Sequence, residues 1–332
     1  MSRPVAVVTN RAFPETLALL GSHCDVRAND SNEPLAREAL LSMAADAEGI
    51  VAFMPDCIDQ AFLDRCPRLR IVACALKGYD NFDIEACTRR GVWVSIVPDL
   101  LTEPTAELAV GLAIGLGRHV GSSDRFVRAG RFAGWRPTFY GRSLDGSTVA
   151  IIGAGRVGRA IARKLSGFSC EVVMVDTSPQ PSVPAHARYV DMDEALASAH
   201  FVILALPLDA GTLHLVDDAW LSRLRPDALL VNPARGSLVA EAAVANALSD
   251  GRLAGYAADV FECEDWARPD RPAGIEPRLL AMADRTLFTT HIGSAVHDVR
   301  QAIERDAAEN LLEALAGGRP HGAINQPVRG AA

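Results

Sequence analysis

The chain lacks a basic excess. Its formal net charge is −8 at pH 7, which leaves no electrostatic footprint for nucleic acid, and arginine pairs such as Arg89-Arg90 read as solvated helix faces. Its seven cysteines show neither CxxC nor Cys/His ligand spacing, so a structural zinc is not expected and a reducing compartment, by default the cytoplasm, is. Long apolar runs are missing too. The most apolar long segment, Leu108 to Leu116, is too short to span a bilayer and is broken by Gly111 and Gly115. The opening residues, Met1-Ser-Arg-Pro-Val-Ala-Val-Val8, start a strand instead of a signal-like segment. There is no repeat or low-complexity tract, and only Pro327 to Ala332 reads as frayed. No membrane, nucleic-acid or metal partner is expected.

What is present is an alternation of strand-like and helical patterns over 332 residues with 49% apolar content, enough for about two buried cores. Val5-Ala-Val-Val8, Gly49-Ile-Val-Ala-Phe53, Arg70-Ile-Val-Ala-Cys-Ala75 and Val92-Trp-Val-Ser-Ile-Val97 alternate with helical patterns such as Pro34 to Ala45, which predicts a first small α/β domain of four units. A long helix follows from Thr102, its expected N-cap, to about Val120, with Pro104 in the first turn. Its Ala109, Gly111, Ala113, Gly115 and Gly117 permit close packing on another helix. A second βαβ series runs from Val149 to Ile292, with later strands at Phe201–Ala205, Ala228–Asn232, Gly255–Asp259 and Thr286–Thr290. The last helical stretch, Ala295 to Ala314, returns to the first domain.

Thr148-Val-Ala-Ile-Ile152 reads as a buried strand running into Gly153-Ala-Gly155-Arg-Val-Gly158 and the helical pattern Arg159 to Leu165. A GxGxxG in this setting signals a dinucleotide. Gly153 permits the tight turn, Gly155 lets the backbone approach a pyrophosphate, Gly158 allows helix packing, and the helix start supplies N–H donors. A second strand, Glu171-Val-Val-Met-Val175, ends on Asp176, the expected distance along for a carboxylate that bonds the adenosine ribose and repels a 2′-phosphate. NAD is therefore expected over NADP. Arg156 faces either the pyrophosphate or solvent. The architecture predicted is α/β with two lobes: residues 1–98 and 293–332 form a smaller, discontinuous, flavodoxin-like substrate domain, and residues 99–292 form a Rossmann-type doubly wound parallel-sheet NAD domain.

Three further strands of the second series end on chemically loaded residues: Arg235, Glu264 and His291. In an open parallel sheet such ends converge on one crevice. Arg235 offers a planar fork for two oxygens of an anion, although an arginine paired with a nearby carboxylate is the plain alternative. His291 can exchange a proton near neutral pH, with a carboxylate to hold its tautomer. His119, His214 and His297 have no paired acid motif and are expected at the surface or as satisfied core residues.

Asn232-Pro-Ala-Arg235-Gly-Ser-Leu-Val, Asp259-Val-Phe-Glu-Cys-Glu264 and Thr290-His291-Ile-Gly resemble the signatures of the D-2-hydroxyacid dehydrogenase family. Within it the chain resembles the phosphite (phosphonate) dehydrogenases, through Ala52-Phe-Met54-Pro-Asp56, Cys74-Ala-Leu-Lys77-Gly-Tyr-Asp-Asn-Phe-Asp83, Val97-Pro-Asp-Leu-Leu-Thr102, Gly134-Trp135, Phe139-Tyr140-Gly141, Phe261 to Arg268 and His291-Ile-Gly-Ser294-Ala-Val. The resemblance extends over nearly the whole chain. It implies Arg235, Glu264 and His291 as catalytic residues. Glu264 is favoured over Glu262 because the family acid stands five residues after the aspartate, leaving Glu262 as a surface or lobe-contact residue. It also implies that Lys77 grips the substrate and lies beside the cofactor, that Met54, Gly78, Tyr140 and Ser294 border the pocket, and that Trp135 and Arg300 reach it from the rim. Lys77 as a solvated loop lysine, and Met54 and Trp135 as ordinary packing residues, are the plain alternatives. Cofactor contacts are implied for Thr105, Gly153, Ala154, Gly155, Arg156, Val157, Gly158, Asp176, Leu206, Pro207, Leu208, Pro233, Ala234, Arg235, Asp259 and His291. A homodimer through the helix 102–120 is implied as well.

The reaction this implies is phosphite + NAD⁺ + water giving phosphate + NADH. Arg235 and Lys77 would bind the phosphite oxygens, and His291, backed by Glu264, would deprotonate water. One alternative is an ordinary D-2-hydroxyacid dehydrogenase or 2-ketoacid reductase, in which His291 gives its proton to a carbonyl. Another is an NAD-sensing binding protein of the corepressor type.

Overall fold

The computed structural model describes residues 3–179, 183–184 and 186–327; most of the terminal stretch expected to fray, 328–332, lies outside them. The chain divides into two compact units. One comprises Met1–Leu101, Trp266–Pro269 and Ala295–Ala332, the other Thr102–Asp265 and Asp270–Ser294. The boundaries fall two or three residues away from those read in the sequence, and the first unit also takes Trp266–Pro269 out of the middle of the chain.

The first unit holds β1 (Val5–Val8), β2 (Asp25–Ala28), β3 (Gly49–Ala52), β4 (Ile71–Cys74) and β5 (Trp93–Ser95). All pair in parallel, in the order β2-β1-β3-β4-β5. This is the flavodoxin-like order, with its switch between β1 and β3. Every residue of β3 and β4 is buried, which explains their unbroken apolar runs: a parallel sheet is covered on both faces. β2 escaped the sequence reading because Asp25-Val-Arg-Ala is a partly exposed edge with no such run. The pattern at Pro34 to Ala45 becomes the helix Arg37–Ala44, preceded by Ala36 in an extended conformation. The helix His297–Leu315 belongs to this unit, where Ile303, Ala307 and Leu311 share a core with Leu20, Val51 and Ile71.

The second unit holds β6 (Thr148–Ile152), β7 (Glu171–Val175), β8 (Ala187–Tyr189), β9 (Phe201–Leu204), β10 (Leu229–Asn232), β11 (Gly255–Ala258) and β12 (Thr286–Phe288). The order β12-β11-β10-β9-β6-β7-β8, parallel throughout, is the doubly wound Rossmann arrangement. It reverses between β6 and β9, so the crevice outside their carboxyl ends is the place for a ligand. No helix among the described residues is long and apolar enough to cross a membrane.

The helix expected from Thr102 to about Val120 runs from Thr102 to Gly117, and a second helix that the sequence reading did not include, Val120–Arg128, follows after His119 in the left-handed region (φ 52°). Thr102 is not an N-cap. It is the first helical residue, and its buried Oγ1 has no hydrogen-bond partner among the described residues. The small residues of this helix pack on another helix, as expected, within the same unit. Ala106, Ala109 and Ala113 are buried against Ile161 and Leu165. A Cβ on Gly115 would lie 2.7 Å from Leu287, and one on Gly117 2.8 Å from the Arg142 carbonyl. Ala109, Ala113, Gly115 and Gly117 thus pack inside their own unit, while Gly111 is exposed and a Cβ there would meet nothing within 4 Å. The exposed apolar surface lies further on: every residue from 127 to 141 is exposed, including Phe132, Trp135 and Tyr140.

Candidate active site

The glycine turn lies at the switch point. Gly153 has φ 105°, and a Cβ there would meet the Ala205 carbonyl oxygen at 2.4 Å and the Leu206 nitrogen at 3.1 Å. A Cβ on Gly158 would lie 2.0 Å from the Gly153 carbonyl oxygen, whereas one on Gly155 would meet nothing within 4 Å. Two glycines are therefore required by protein packing and the third faces open space, as a backbone must where a phosphate approaches it. Gly155 caps the helix Arg156–Leu165 without a side chain, which leaves the first-turn N–H groups for a ligand. Asp176 closes the cradle at the end of β7: Oδ2 accepts from Ala154 N at 2.7 Å and Oδ1 from Ser178 N at 2.8 Å. These residues fit a dinucleotide. Ala154 and Val157 pack into the core behind the turn, and Leu206, Pro207 and Leu208 form the loop after β9.

His291 follows β12 in a turn built around Asp259, which is 1% exposed. Asp259 Oδ1 accepts from Thr289 Oγ1 at 2.6 Å and from Ile292 N at 2.8 Å, Oδ2 accepts from Gly293 N at 2.8 Å, and the Asp259 carbonyl accepts from His291 N at 2.8 Å. These bonds hold His291 in the left-handed region, φ 56°, a conformation that costs a non-glycine residue about 1–2 kcal/mol. Its Nδ1 lies 2.7 Å from Glu264 Oε2, while Glu264 Oε1 accepts from Phe261 N at 2.7 Å. A carboxylate only accepts, so Nδ1 carries the hydrogen and Nε2 is the nitrogen that can exchange a proton with a reactant. Thr105 adjoins this turn: a Cβ on Gly293 would lie 3.3 Å from its Oγ1.

Arg235 ends a turn framed by fully buried Asn232, whose Oδ1 accepts from Ala234 N at 3.1 Å and whose Nδ2 donates to the Arg235 carbonyl at 2.8 Å. Pro233 is buried within it. Arg235 Nη1 donates to the Ala234 carbonyl at 2.8 Å. Gly236 makes the next contact possible, since a Cβ there would lie 1.9 Å from the Phe261 carbonyl carbon. The arginine turn thus rests on the backbone whose N–H holds Glu264. Asn232 and Thr289 are functional supports that the sequence reading missed. The Asn-Pro dipeptide was a turn signal; Thr289 gave none.

Two expectations are corrected. Glu262 is not a surface residue: Oε1 accepts from Glu241 N at 2.9 Å, and Glu241 Oε1 returns the bond from Glu262 N at 2.9 Å. Burial pushes the Glu241 carboxyl above its usual range. His214 does have an acid, since its Nε2 lies 2.9 Å from Glu262 Oε2, and His297 Nδ1 lies 3.1 Å from Asp298. Of the remaining candidates, Met54, Lys77, Gly78 and Arg300 belong to the first unit and Trp135, Tyr140 and Ser294 to the second. Trp135 and Tyr140 are 82% and 77% exposed, so neither is enclosed by other residues of this chain.

A cradle for a dinucleotide and a glutamate-oriented histidine, both following strands of one parallel sheet, suit hydride exchange with a proton to be moved, the work of an NAD-dependent oxidoreductase. The sequence profile of the D-isomer specific 2-hydroxyacid dehydrogenase NAD binding domain matches residues 110–293. A glyoxylate reductase of Pyrococcus furiosus is 36% identical, over 98% of this chain and 96% of that protein. The chain belongs to the D-isomer specific 2-hydroxyacid dehydrogenase family. Among solved structures, a Thermus thermophilus protein superposes with a TM-score of 0.87 at 31% identity, covering 97% of this chain and all of that one (100%). An NADPH-dependent glyoxylate/hydroxypyruvate reductase of Sinorhizobium meliloti, solved with NADP and malonate, gives 0.84 at 28% identity with 100% of both chains covered.

Proposed function

We propose that the protein is an NAD-linked reductase of small 2-keto acids of the glyoxylate class, and in reverse a D-2-hydroxyacid dehydrogenase. The observation that carries the reading is the Nδ1 bond from His291 to Glu264, in a chain whose similar relatives include proteins named glyoxylate reductase. NAD bound in the glycine cradle supplies the two-electron chemistry as a hydride given or taken. Arg235 grips the substrate carboxylate with its fork. Nε2 of His291 gives a proton to the carbonyl oxygen as the carbon is reduced, and takes it back in the reverse direction, with Glu264 steadying the charged ring. Asp259 and Thr289 hold the backbone turn that carries His291. Product stereochemistry tests this: hydroxypyruvate with NADH should yield D-glycerate, and an L product would overturn it.

A second reading is phosphite oxidation, and one observation favours it. In the first unit Arg300 donates to the Ala75 carbonyl at 3.2 Å, two residues before Lys77, and its guanidinium lies 5.7 Å from the ring centroid of Phe53, next to Met54. Arg300 also pairs with Glu304 at 3.7 Å, so the dianion reading leans on Lys77, with Arg300 adding a cation already part-balanced by that carboxylate. The resemblance to the phosphite dehydrogenases assigns the phosphite grip to Lys77. Here Nε2 of His291 would take the proton from water. The names of the relatives favour the keto acid. Phosphorus NMR of phosphite incubated with NAD⁺ and the protein separates the two, because only the second reading yields phosphate.

A further inference from the structure

Asn81 stands four residues past Lys77 in the loop after β4 and uses both ends of its side-chain amide. Nδ2 donates to the Met54 carbonyl at 3.0 Å, and Oδ1 accepts from Ala267 N at 3.1 Å. A carbonyl only accepts and an N–H only donates, so the partners fix which way the amide points. The backbone around it is stitched down as well: the Asn81 carbonyl accepts from Ile58 N at 3.2 Å, and Ile58 bridges Phe82. The Met54 turn has its own support, since buried Asp56 accepts from Phe53 N at 2.7 Å and from Thr9 Oγ1.

Three stretches therefore meet on one side chain: the Met54 turn after β3, the lysine loop after β4, and the Trp266–Pro269 segment that the first unit takes from the middle of the chain. That segment begins two residues after Glu264. Asp265 is fixed to Ser237 N at 2.8 Å and Ala267 to Asn81, with Trp266 alone between the two anchors. The chain leading away from the catalytic acid is thus short and held at both ends.

We propose that Asn81 is a positioning residue for the reaction, tying the Met54 and Lys77 substrate loops to the strap that continues from Glu264. The proposal rests on the reading of Met54 and Lys77 as substrate-side residues and of Glu264 as the partner of His291. Its two bonds have separable consequences. Asn81→Ala removes both. Asn81→Asp keeps an acceptor for Ala267 N but turns a second acceptor toward the Met54 carbonyl, so it loses only that bond.

The test combines amide hydrogen exchange with kinetics on the full-length protein. In Asn81→Ala, peptides covering 265–269 should exchange faster than in the wild type. KM for whichever acid or phosphite the wild type turns over should rise about tenfold while KM for NAD stays within about twofold. In Asn81→Asp the 265–269 peptides should stay protected while the substrate KM still rises. Unchanged exchange at 265–269 in Asn81→Ala would overturn the proposal. So would a parallel rise in both KM values, the mark of general loosening, or an aspartate variant that exchanges like the alanine one. If the wild type turns over no acid and no phosphite, the functional reading fails, while the exchange comparison still decides whether Asn81 holds the strap.

Discussion

At the scale of single residues, the clamp and the proton carrier should fail differently when removed. His291→Ala should cut kcat by about 10²–10⁴ and leave NAD binding near normal, because the lost step is a proton transfer. Arg235→Ala should raise the substrate KM and lower kcat together. Arg235→Lys, which keeps the charge and loses the fork, should retain part of the affinity, and steady-state kinetics reads all three. Asp56 offers a test in another quantity. Burial holds its carboxyl at about 6, above the usual 3.8, against the bonds from Phe53 and Thr9 that pull it down. The folded state thus binds a proton that the unfolded chain releases, so this group's contribution is present below about pH 4 and is lost as pH rises through about 6, a difference of about 3 kcal/mol. In Asp56→Asn the new amide oxygen still accepts both bonds and has no proton to lose. Urea unfolding of this variant should show its stability relative to wild type rising by about that amount from pH 4 to pH 7, and a pH-independent difference would contradict the assignment. Arg235, Glu264 and His291 were legible because each follows a strand. The exchange of bonds between Glu241 and Glu262, with His214 attached, was not, because it joins residues whose proximity only the folded chain creates.

At the scale of elements, strands buried on both faces were read with little error: β1, β6 and β7 have the bounds their apolar runs suggest. The edge strands β2 and β8 were missed because Asp25-Val-Arg-Ala and Ala187-Arg-Tyr carry no such run, whereas the other two edges, β5 and β12, were read. The helix after Thr102 was read about three residues too long because nothing in Arg118-His119 marks a left-handed break, and the helix Val120–Arg128 beyond it was not read. Two turns yield predictions. Gly236→Ala would force the Arg235 turn off Phe261; it should cost about 1–3 kcal/mol or more in stability and lower kcat by displacing Glu264, measured by denaturation and turnover together. At the end of β7, Asp176→Ala combined with Thr177→Arg should raise the preference for NADP⁺, because the carboxylate that repels a 2′-phosphate is gone and a cation replaces it. An unchanged ratio of kcat/KM for the two cofactors would show that Asp176 does not face the ribose.

At the scale of the whole molecule, the two fold classes and the family were within reach of the sequence, whereas the substrate was not. A fold class follows from the alternation of βα units, but the choice between a keto acid and phosphite depends on how a few loop side chains meet one anion. Assembly was legible only in part. Most small residues of Thr102–Gly117 pack internally, Gly111 stays exposed, and the exposed arm with Phe132, Trp135 and Tyr140 is the surface we expect a second copy to cover. Light scattering should return the mass of two chains, and Phe132→Ala with Trp135→Ala should weaken the pair; a monomer mass for the wild type at micromolar concentration would contradict this. The central claim is tested most directly by the absorbance of NADH. Wild-type protein given NADH with glyoxylate or hydroxypyruvate is expected to consume NADH at a rate that His291→Ala loses. NADH left unconsumed with every 2-keto acid, while phosphite and NAD⁺ generate it, would contradict the claim and give the site to phosphite.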